Sequence, residues 1–394
     1  MKKQQAVIVA SARTPIGGFC GSLKDISAPM LGAIAIKGAL GRCQVKKGDI
    51  DEVFMGCALQ AGLGQSPAKQ AAIKAGIPES VPCTTINKVC ASGMKATMLA
   101  AQSIEIGEND TVVAGGMENM SKVPYYLPSG RTGQKFGNVT LVDGMLYDGL
   151  TDAFSNEHMG LCGEACAESH GISREEQDSF AIESYTRSAK AWSKGAFDNE
   201  IVPVEVTDRK GNVSIVSEDE EYKNAKLDKI PLLRPAFKKD GTITAANAST
   251  INDGAAALVL MSEEKAGKLG MKPVARIVSY ADAAQAPKDF TTSPTLAVRK
   301  ALKKAGLTEK DIDYWEINEA FSVVGIVNTR LLDIDKDRVN IFGGAVSLGH
   351  PLGASGARIL VTLLTILARK NARLGCAVVC NGGGGASAMI LERL

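Results

Sequence analysis

The sequence is poor in histidine, in aromatic residues and in net charge. Its 394 residues include three His, and Phe, Trp and Tyr make up 5% of the chain. Lys and Arg number 45 against 43 Asp and Glu, a formal net charge of +2. Such a balance creates no overall field for nucleic acid or an anionic membrane, and three His argue against a zinc-rich fold. We therefore expect no nucleic-acid partner, no membrane partner, and a core built from Ala, Val, Ile and Leu.

Targeting signals are missing as well. No apolar run is expected to reach the length needed to span a bilayer, which argues against a membrane protein. The N-terminal residues MKKQQAVIVASARTP pass straight into a strand-like run, unlike a secretory signal or a transit peptide. Nine Cys, an odd number, without a secretory signal indicate free thiols in a reducing compartment. We expect a cytoplasmic location, with the mitochondrial matrix as the alternative if a presequence has been removed.

The chain repeats itself in two halves. Four short segments recur in the same order, the last three pairs at separations of 262 to 266 residues. Each half reads strand, helix, strand, helix, strand, which is typical of an α/β fold with a largely parallel sheet and helices on its faces. The matching segments are AVIVASA with ARIVSYADAA, Asp49-Ile-Asp with Asp311-Ile-Asp, CASGMKA with GASGARI, and TVVAGG with AVVCNG.

The repeats divide the chain into three predicted domains. Two βαβαβ-type core halves, 1–120 and 271–394, are expected to pack about a pseudo-twofold axis. The stretch 121–270 has no counterpart in the second half and is predicted to be an inserted loop domain, with a helix that starts at the capping-box pattern of Ser173 and Glu176. Because active sites of open parallel sheets lie at the carboxyl ends of the strands, the insertion is placed to cover one.

The most informative positions are those where the repeats share a backbone pattern but differ in chemistry. Before the Ala-Ser-Gly turn that opens a helix, the first repeat has Cys90 and the second has Gly353. A helix N-terminus stabilises a thiolate through the helix dipole, which lowers the pKa of the thiol. We therefore interpret Cys90 as a candidate nucleophile, against the alternative of a buried inert cysteine.

A second difference sets Cys380 against Ala114. Cys380 ends an apolar strand and is followed by Asn and four glycines at 381–385. Successive glycines leave backbone N–H groups accessible to a ligand, which suits an oxyanion site. The alternative interpretation of this segment is a flexible turn.

Polar residues mark two more positions in the second repeat. His350, in the run GGAVSLGHPLGASG, is surrounded by small residues. We expect it to be poorly solvated and close to the neutral form that a general base needs. Asn318 and Glu319 follow a predicted strand, where the first repeat has Gly56 and Cys57. A polar pair at such a place is costly unless it binds something.

Together these motifs resemble those of the thiolases, and among them the acetyl-CoA acetyltransferases, or acetoacetyl-CoA thiolases. The resemblance extends over essentially the whole chain and is carried by the segments NKVCASGMKA, NEAF, GGAVSLGHPLGASGARI and CNGGGGASA. It implies a duplicated thiolase fold, layered α-β-α-β-α, with an inserted loop domain.

The resemblance also implies an activity, the reversible condensation of two acetyl-CoA to acetoacetyl-CoA and CoA. In this pattern Cys90 takes the acetyl group as a thioester, His350 deprotonates it, and Cys380 is the second acid/base. Asn318 holds a water, and the backbone N–H groups of Cys90 and Gly382 form an oxyanion hole. CoA is the acyl carrier, and the chemistry requires no metal or redox cofactor.

Contacts with the acyl group and with CoA are implied in the same way. A run of six Lys and Arg at 223–239 is assigned to the CoA phosphates, against the alternative of a solvated surface. Phe321 resembles the residue that limits acyl-chain length. The remaining predicted substrate contacts are His158 and Met159 at the acyl group, Lys229 and Ser249 at CoA, and Tyr185.

A potassium ion and an oligomer complete what the resemblance implies. Main-chain carbonyls suit a weakly hydrated monovalent ion. The implied K+ ligands are Tyr185 and the carbonyls of Ala245, Ala246, Ala248 and Val346. The implied assembly is a homotetramer, a dimer of dimers.

Four alternatives compete with this interpretation. One is a 3-ketoacyl-CoA thiolase for longer chains, as in fatty-acid, ketone-body or isoleucine breakdown, although the context of His158 and Met159 favours short chains. A ketoacyl synthase resembles a Cys-His-His site, whereas the third position here is Cys380. A non-catalytic CoA- or lipid-binding protein tolerates the loss of a catalytic group, and none is lost. A redox sensor predicts a Cys90–Cys380 disulfide and is compatible with catalysis.

Overall fold

A computed structural model describes residues 4–394, and its main feature is one large sheet. The strands, in chain order, are β1 (Ala6–Arg13), β2 (Gly17–Gly18), β3 (Glu52–Gly56), β4 (Cys83–Ile86), β5 (Thr111–Asn119), β6 (Tyr125–Tyr126), β7 (Val142–Asp143), β8 (Val204–Thr207), β9 (Val213–Val216), β10 (Asn252–Ser262), β11 (Ala275–Ala284), β12 (Tyr314–Ile317), β13 (Leu374–Asn381) and β14 (Gly385–Arg393).

Helices cover the sheet and build much of the segment between the two halves. They are α1 (Ala28–Gly41), α2 (Pro67–Ala75), α3 (Ser92–Glu105), α4 (Met159–Ser169), α5 (Arg174–Ser193), α6 (Glu221–Asn224), α7 (Glu263–Lys268), α8 (Ser293–Ala305), α9 (Ser322–Leu331), α10 (Ala345–Leu348) and α11 (Leu352–Lys370). Shorter helical turns lie at Lys47–Asp49, Met120–Lys122, Leu146–Leu150, Leu227–Leu232, Pro287–Thr292, Glu309–Asp311 and Lys336–Arg338.

The strand order repeats between the two halves. The sheet runs β12-β13-β14-β11-β1-β10-β5-β3-β4, so β11, β14, β13 and β12 repeat the order of β1, β10, β5 and β3. The halves meet where β1 and β11 pair antiparallel, with Val7 opposite Arg276 and Ile8 opposite Ala275. This order agrees with the predicted duplication of the core.

The sheet is mixed, which corrects the prediction of a largely parallel one. The parallel pairs are β3–β4, β3–β5 and β12–β13. The other neighbours among these core strands run antiparallel. β14 follows β13 through the glycine turn, with Asn381 opposite Gly385, and such a short connection forces an antiparallel pair. In the first half β10 runs antiparallel to both β5 and β1.

The position of β10 also bears on the predicted insertion 121–270. This strand lies inside that range in the sequence, yet it pairs with β1 and β5 at the centre of the sheet and is buried along its whole length. It is the counterpart of β14. The predicted C-terminal boundary of the insertion therefore does not match the sheet, and the division into three domains stays a prediction.

The layers follow the predicted α-β-α-β-α order. Helices α1 and α2 pack on the outer face of the first half of the sheet. Helix α8 packs on the outer face of the second half. Helices α3 and α11 pack against each other in the middle, where residues such as Met94, Met98 and Leu360 join strands of both halves in one cluster.

Helix α11 corrects the expectation about long apolar runs. By length and composition, Leu352–Lys370 is long and apolar enough to cross a membrane. However, 83% of its most apolar window is buried inside the protein, so it is a helix of the central layer. Helix α5 forms where a helix was predicted: it begins at Arg174, and the Ser173 side chain accepts a hydrogen bond from the Glu176 N–H.

Candidate active site

The predicted catalytic residues stand at the ends of core strands and the starts of central helices. Cys90 precedes α3, Asn318 follows β12, His350 precedes α11, and Cys380 lies near the end of β13. The Gly382 N–H lowers the pKa of the Cys90 thiol and the Cys90 charge raises that of Cys380, so both groups lie near the Cys90 sulfur. A Cβ on Gly382 would stand 3.8 Å from Val89 Cγ1, the side chain that precedes Cys90. The fold therefore brings both sulfurs and the glycine turn to one place.

The turn before Cys90 is held in an unusual backbone conformation. Val89 has a φ of +49°, which is rare for a β-branched residue. The side chain of Asn87 accepts a hydrogen bond from the Val89 N–H at 3.0 Å, and Ser92 Oγ accepts one from the Lys88 N–H at 2.8 Å. Strained backbone of this kind collects at functional sites, and here it sets Cys90 at the N-terminus of α3.

Burial, rather than the helix dipole, dominates the titration of Cys90. Desolvation raises the pKa of the Cys90 thiol to about 12. The N–H groups of Gly382 and of Cys90 itself act in the opposite direction, and the Glu118 charge raises the pKa further. The prediction of a lowered pKa is therefore wrong for the free protein. At neutral pH Cys90 is a thiol and needs a base to become a nucleophile.

Cys380 is also a neutral thiol. It is 1% exposed, and burial together with the nearby Cys90 raises its pKa well above the ordinary range. Its side chain packs in an apolar cluster with Met159 and Phe321. Cys90 and Cys380 are therefore both protonated thiols at neutral pH.

His350 has the protonation and the geometry of a general base. Its Nδ1 lies 2.6 Å from the Ser355 Oγ, and that hydroxyl donates to the Pro351 carbonyl at 2.9 Å. Because the Ser355 hydroxyl donates its proton to this carbonyl, it can only accept a hydrogen bond from His350. The Nδ1 of His350 therefore carries the ring hydrogen, and its Nε2 has a free lone pair. Nε2 is buried and has no hydrogen-bond partner within residues 4–394. Burial, and secondly the Arg358 charge, lower the pKa of His350 to about 3, in line with the predicted neutral form.

Of the predicted polar pair, only Asn318 is available to a ligand. Its Nδ2 lies 3.5 Å from the His350 Nδ1, and its Oδ1 is buried without a partner in the described part of the chain. A buried unpartnered oxygen calls for a water or a substrate group. Glu319, by contrast, accepts hydrogen bonds from Ser184, Asn340 and the Val346 N–H. It therefore anchors neighbouring loops rather than a ligand.

The predicted acyl pocket is lined by an aromatic wall. His158 stacks on Phe237 at a ring-centroid distance of 4.5 Å, and Phe237 meets Phe321 edge-on at 6.2 Å. Met159 Cε lies 3.7 Å from where a Cβ on Gly382 would stand, so this wall borders the sulfurs. Phe237 was missed by the sequence analysis because it lies in the cationic run 223–239.

The predicted CoA contacts separate in the structure. Ser249 and Phe237 line a cavity of about 540 Å³, whereas Lys229 is exposed and is not among its walls. The walls also include Glu220 and Glu221, two acidic residues that the sequence analysis did not consider. Within the cationic run, Lys223 is paired with Glu218. The walls of this cavity therefore combine apolar side chains, such as Phe237 and Ile251, with the two acidic residues.

The predicted potassium ligands approach one another. Tyr185, Val346 and Ala246 belong to one cluster, and Ala245 and Ala248 line the neighbouring cavity. The carboxylates of two residues, Glu221 and Glu319, add to burial in raising the pKa of the Tyr185 phenol. Carbonyl and phenol oxygens with carboxylates nearby are donors that fit a monovalent cation. No cluster of His, Cys, Asp and Glu suited to another metal occurs in the described residues.

Two further residues of the site were missed by the sequence analysis. Ser355, in the GASG segment, fixes the tautomer of His350. Asn252, at the start of β10, accepts a hydrogen bond from the His350 N–H at 2.8 Å. Both side chains are fully buried, which the sequence alone does not show, and Asn252 is 98 residues away from His350 in the sequence.

Comparison with known families gives two matches that together span most of the chain. The thiolase N-terminal domain matches residues 6–264. The thiolase C-terminal domain matches residues 271–393.

Among curated relatives, an acetyl-CoA acetyltransferase of Schizosaccharomyces pombe is 56% identical, with 100% of each chain covered. One of Gibberella zeae, described as cytosolic, is 53% identical over 98% of both chains. One of Bos taurus, described as mitochondrial, is 53% identical over 99% of this chain and 92% of the relative.

Solved structures agree with the computed fold. A thiolase of Ascaris suum in complex with coenzyme A superposes with a TM-score of 0.94 at 48% identity, covering 99% of this chain and 100% of the other. The Bacillus anthracis acetyl-CoA acetyltransferase gives a TM-score of 0.97 at 41% identity, covering 100% of both.

Proposed function

The chain belongs to the thiolase family, and from that premise we propose that it is an acetyl-CoA acetyltransferase. It is an acyltransferase that joins two acetyl-CoA reversibly into acetoacetyl-CoA and CoA, with CoA as the carrier and no further cofactor in the chemistry. The observation that carries this proposal is the meeting of Cys90, Cys380 and the Gly382 N–H. Acyl exchange between sulfurs needs such a nucleophile beside oxyanion donors.

The first half-reaction loads the enzyme. The neutral Nε2 of His350 takes the Cys90 proton, and the thiolate attacks the acetyl-CoA carbonyl. The N–H groups of Cys90 and Gly382 stabilise the oxyanion. The tetrahedral intermediate expels the CoA thiolate, which takes the proton of Cys380. Acetyl-Cys90, a protonated His350 and a Cys380 thiolate remain, so charge and protons balance.

The second half-reaction forms the carbon–carbon bond. The Cys380 thiolate removes an α-proton from a second acetyl-CoA, and the enolate is stabilised by protonated His350 together with a water held by Asn318. The enolate attacks acetyl-Cys90 and expels the Cys90 thiolate, which takes its proton back from His350. Both thiols and the neutral imidazole are restored, in agreement with the raised thiol pKa values and the lowered His350 pKa.

Short acyl chains are favoured over longer ones. The contacts among His158, Phe237 and Phe321 close the pocket beside Cys380 with rings. Turnover of 3-ketohexanoyl-CoA is therefore expected to be far slower than that of acetoacetyl-CoA. Comparable kcat/KM for the two substrates would favour the alternative, a 3-ketoacyl-CoA thiolase.

A homotetramer is proposed for the assembly. Exposed apolar side chains are concentrated between β5 and α4, including Tyr125, Leu127, Phe136 and Leu141. A cluster of this kind marks a protein interface. Sedimentation equilibrium of the full chain tests the proposal, and a monomer at micromolar concentration contradicts it. The cytosol is proposed as the location, with the mitochondrial matrix as the alternative, because relatives are described for both.

One assay tests substrate, reaction and ion together. Acetoacetyl-CoA cleavage by CoA is measured in potassium buffer and in a matched buffer with a bulky organic cation. Cleavage is expected in both, and potassium is expected to raise kcat/KM if the group around Tyr185 binds it. Absence of cleavage contradicts the proposed activity, and equal rates contradict the ion site alone.

A further inference from the structure

The start of α11 is capped by a residue far away in sequence. Its N-cap, Pro351, makes no side-chain capping bond. Instead Glu118, in β5, reaches the helix, and its Oε2 accepts a hydrogen bond from the Gly353 N–H at 2.8 Å. Gly353 is the residue that matches Cys90 in the repeat. A carboxylate at a helix N-terminus is stabilised by the free N–H groups and by the helix dipole.

The same carboxylate is bonded on every side. It accepts hydrogen bonds from the N–H groups of Ala58 at 2.9 Å and Leu59 at 3.2 Å, and from the Cys57 thiol at 3.5 Å. Glu118 is 0% exposed. Burial raises the pKa of Glu118, whereas these four donors lower it by favouring the ionised form. A buried charge with this many donors fixes the positions of the groups that surround it.

The packing around Gly353 leaves no room for a side chain. A Cβ placed on Gly353 would stand 2.8 Å from both the Glu118 Oε2 and the Cys57 Cα. The first turn of α11 therefore sits at one distance from the end of β3. That turn includes Ser355, whose Oγ is hydrogen-bonded to the His350 Nδ1, and the helix begins two residues after His350.

We propose that Glu118 is a positioning residue: it holds the first turn of α11, and through it the His350 imidazole, at the separation from Cys90 that proton transfer requires. It does not touch substrate. Burial chiefly raises the pKa of the Cys90 thiol, and the Glu118 charge acts in the same direction.

The variant Glu118→Gln tests the proposal because it keeps the size of the side chain and removes its charge. In this variant the side-chain NH2 group of the new glutamine faces the backbone N–H donors, so one acceptor is lost. We expect kcat for acetoacetyl-CoA cleavage to fall roughly 10- to 100-fold, since small displacements of a base are costly, while KM changes less than about 2-fold. The matched control is Glu164→Gln, another buried carboxylate bonded to backbone N–H groups, those of Thr242 and Ile243.

A second readout separates positioning from general destabilisation. The Glu118 charge acts on the Cys90 thiol, and Cys90 and Cys380 act on each other; His350 is the base proposed to take the Cys90 proton. The Glu118 charge raises the pKa of Cys90. Without it, the pH profile of Cys90 alkylation by iodoacetamide is expected to move to lower pH, whereas kcat is expected to fall. A kcat loss equal to that of Glu164→Gln, or an unchanged alkylation profile, overturns the proposal.

Chemical rescue covers the case in which Glu118→Gln does not fold. Glu118→Ala leaves the donors around an empty space, and formate is expected to restore kcat with saturation, because the donors form an anion site. Failure of formate to restore activity in a folded Glu118→Ala overturns the proposal. The inference rests on the proposed function, yet their failures differ. An unmodified chain that does not cleave acetoacetyl-CoA overturns the function, whereas an active chain indifferent to Glu118→Gln overturns only the inference.

Discussion

The starts of helices α3 and α11 occupy equivalent places in the duplicated core but hold opposite chemistry. At α3 the residue is Cys90, a thiol that burial keeps neutral. At α11 the matching residue is Gly353, whose N–H is bonded to the buried carboxylate of Glu118. One helix start is left for a reaction, and the other is closed by a permanent anion. Duplication thus supplied two equivalent helix starts. In the proposed function the first carries the acyl group, and the proposed role of Glu118 is to hold the second in place.

The loops that face these helix starts differ in the same way. Asn318 follows β12 with an unpartnered oxygen, whereas the matching loop after β3 turns the N–H groups of Ala58 and Leu59 toward Glu118. An unsatisfied buried oxygen is costly, and satisfied donors are stabilising. The catalytic side therefore gives up stability that the other side retains, as expected where a site must bind a substrate.

The largest effect is expected when Cys90, before α3, is replaced by the glycine that occupies the matching position before α11. Cys90→Gly copies the second repeat into the first and removes the acyl carrier. We expect kcat for acetoacetyl-CoA cleavage to fall by at least about 10³-fold, with no acetyl group on the intact protein by mass spectrometry. The control Cys20→Gly changes an exposed thiol at a φ of +55°, which suits glycine, and should keep full activity. Acetylation of the Cys90→Gly protein would contradict the assignment.

The next largest effect is expected when His350, the proposed base, is replaced by the residue at the matching position of the first repeat. In the register that matches Gly353 with Cys90, His350 matches Asn87. His350→Asn keeps a polar side chain but removes the lone pair of Nε2, so kcat is expected to fall about 10²- to 10⁴-fold. Stopped-flow measurement of CoA release should show the loss in the first half-reaction. His170→Asn, at an exposed histidine, is the control; equal activity of the two variants would remove His350 from the mechanism.

Filling the closed helix start tests its packing rather than the chemistry. Gly353→Ala places a methyl group 2.8 Å from the Glu118 carboxylate and the Cys57 backbone. We expect the free energy of unfolding to fall by about 1–3 kcal/mol, as for other overpacked cores, which urea denaturation measures. Gly48→Ala, where no atom lies within 4 Å of the added Cβ, is the matched control. Equal stability of the two variants would show that the turn of α11 is free to move.

The sequence predicts the duplicated core because its landmarks keep order and spacing. It identifies Cys90, His350 and Cys380 as candidate catalytic groups from chemistry that one repeat has and the other lacks, and their roles stay a prediction. It does not predict that β10 belongs to the sheet, since the strand sequence NDGAAALVLMS has no counterpart among the repeated landmarks. Its position depends on pairing with β1 and β5, both more than 130 residues away, and local patterns carry no such information.

Two of the differences between the predicted and the observed site, at Cys90 and at Glu118, have a physical cause in common. The sequence predicts that Cys90 lies at the start of a helix, whose dipole lowers the pKa of a thiol. Burial raises that pKa by a larger amount, and burial depends on atoms from segments that are distant in the sequence. In the same way the sequence analysis did not consider Glu118, and only the fold shows that four donors from two other segments converge on its carboxylate. Sequence patterns give the type of a group, and its electrostatic state comes from the packing around it.

Acid titration gives the smallest expected effect and separates His350 from its non-titrating counterpart Asn87. The pKa of His350 is about 3 in the folded chain and near 6.5 when unfolded. Between these values the unfolded chain binds one more proton at this residue, so the contribution of His350 to stability falls as pH falls, by about 1.4 kcal/mol per unit. Glu316 acts oppositely, because burial raises its pKa to about 8. The difference between wild type and His350→Asn in urea denaturation from pH 7 to 5 isolates one group, and parallel curves would show that His350 is solvated.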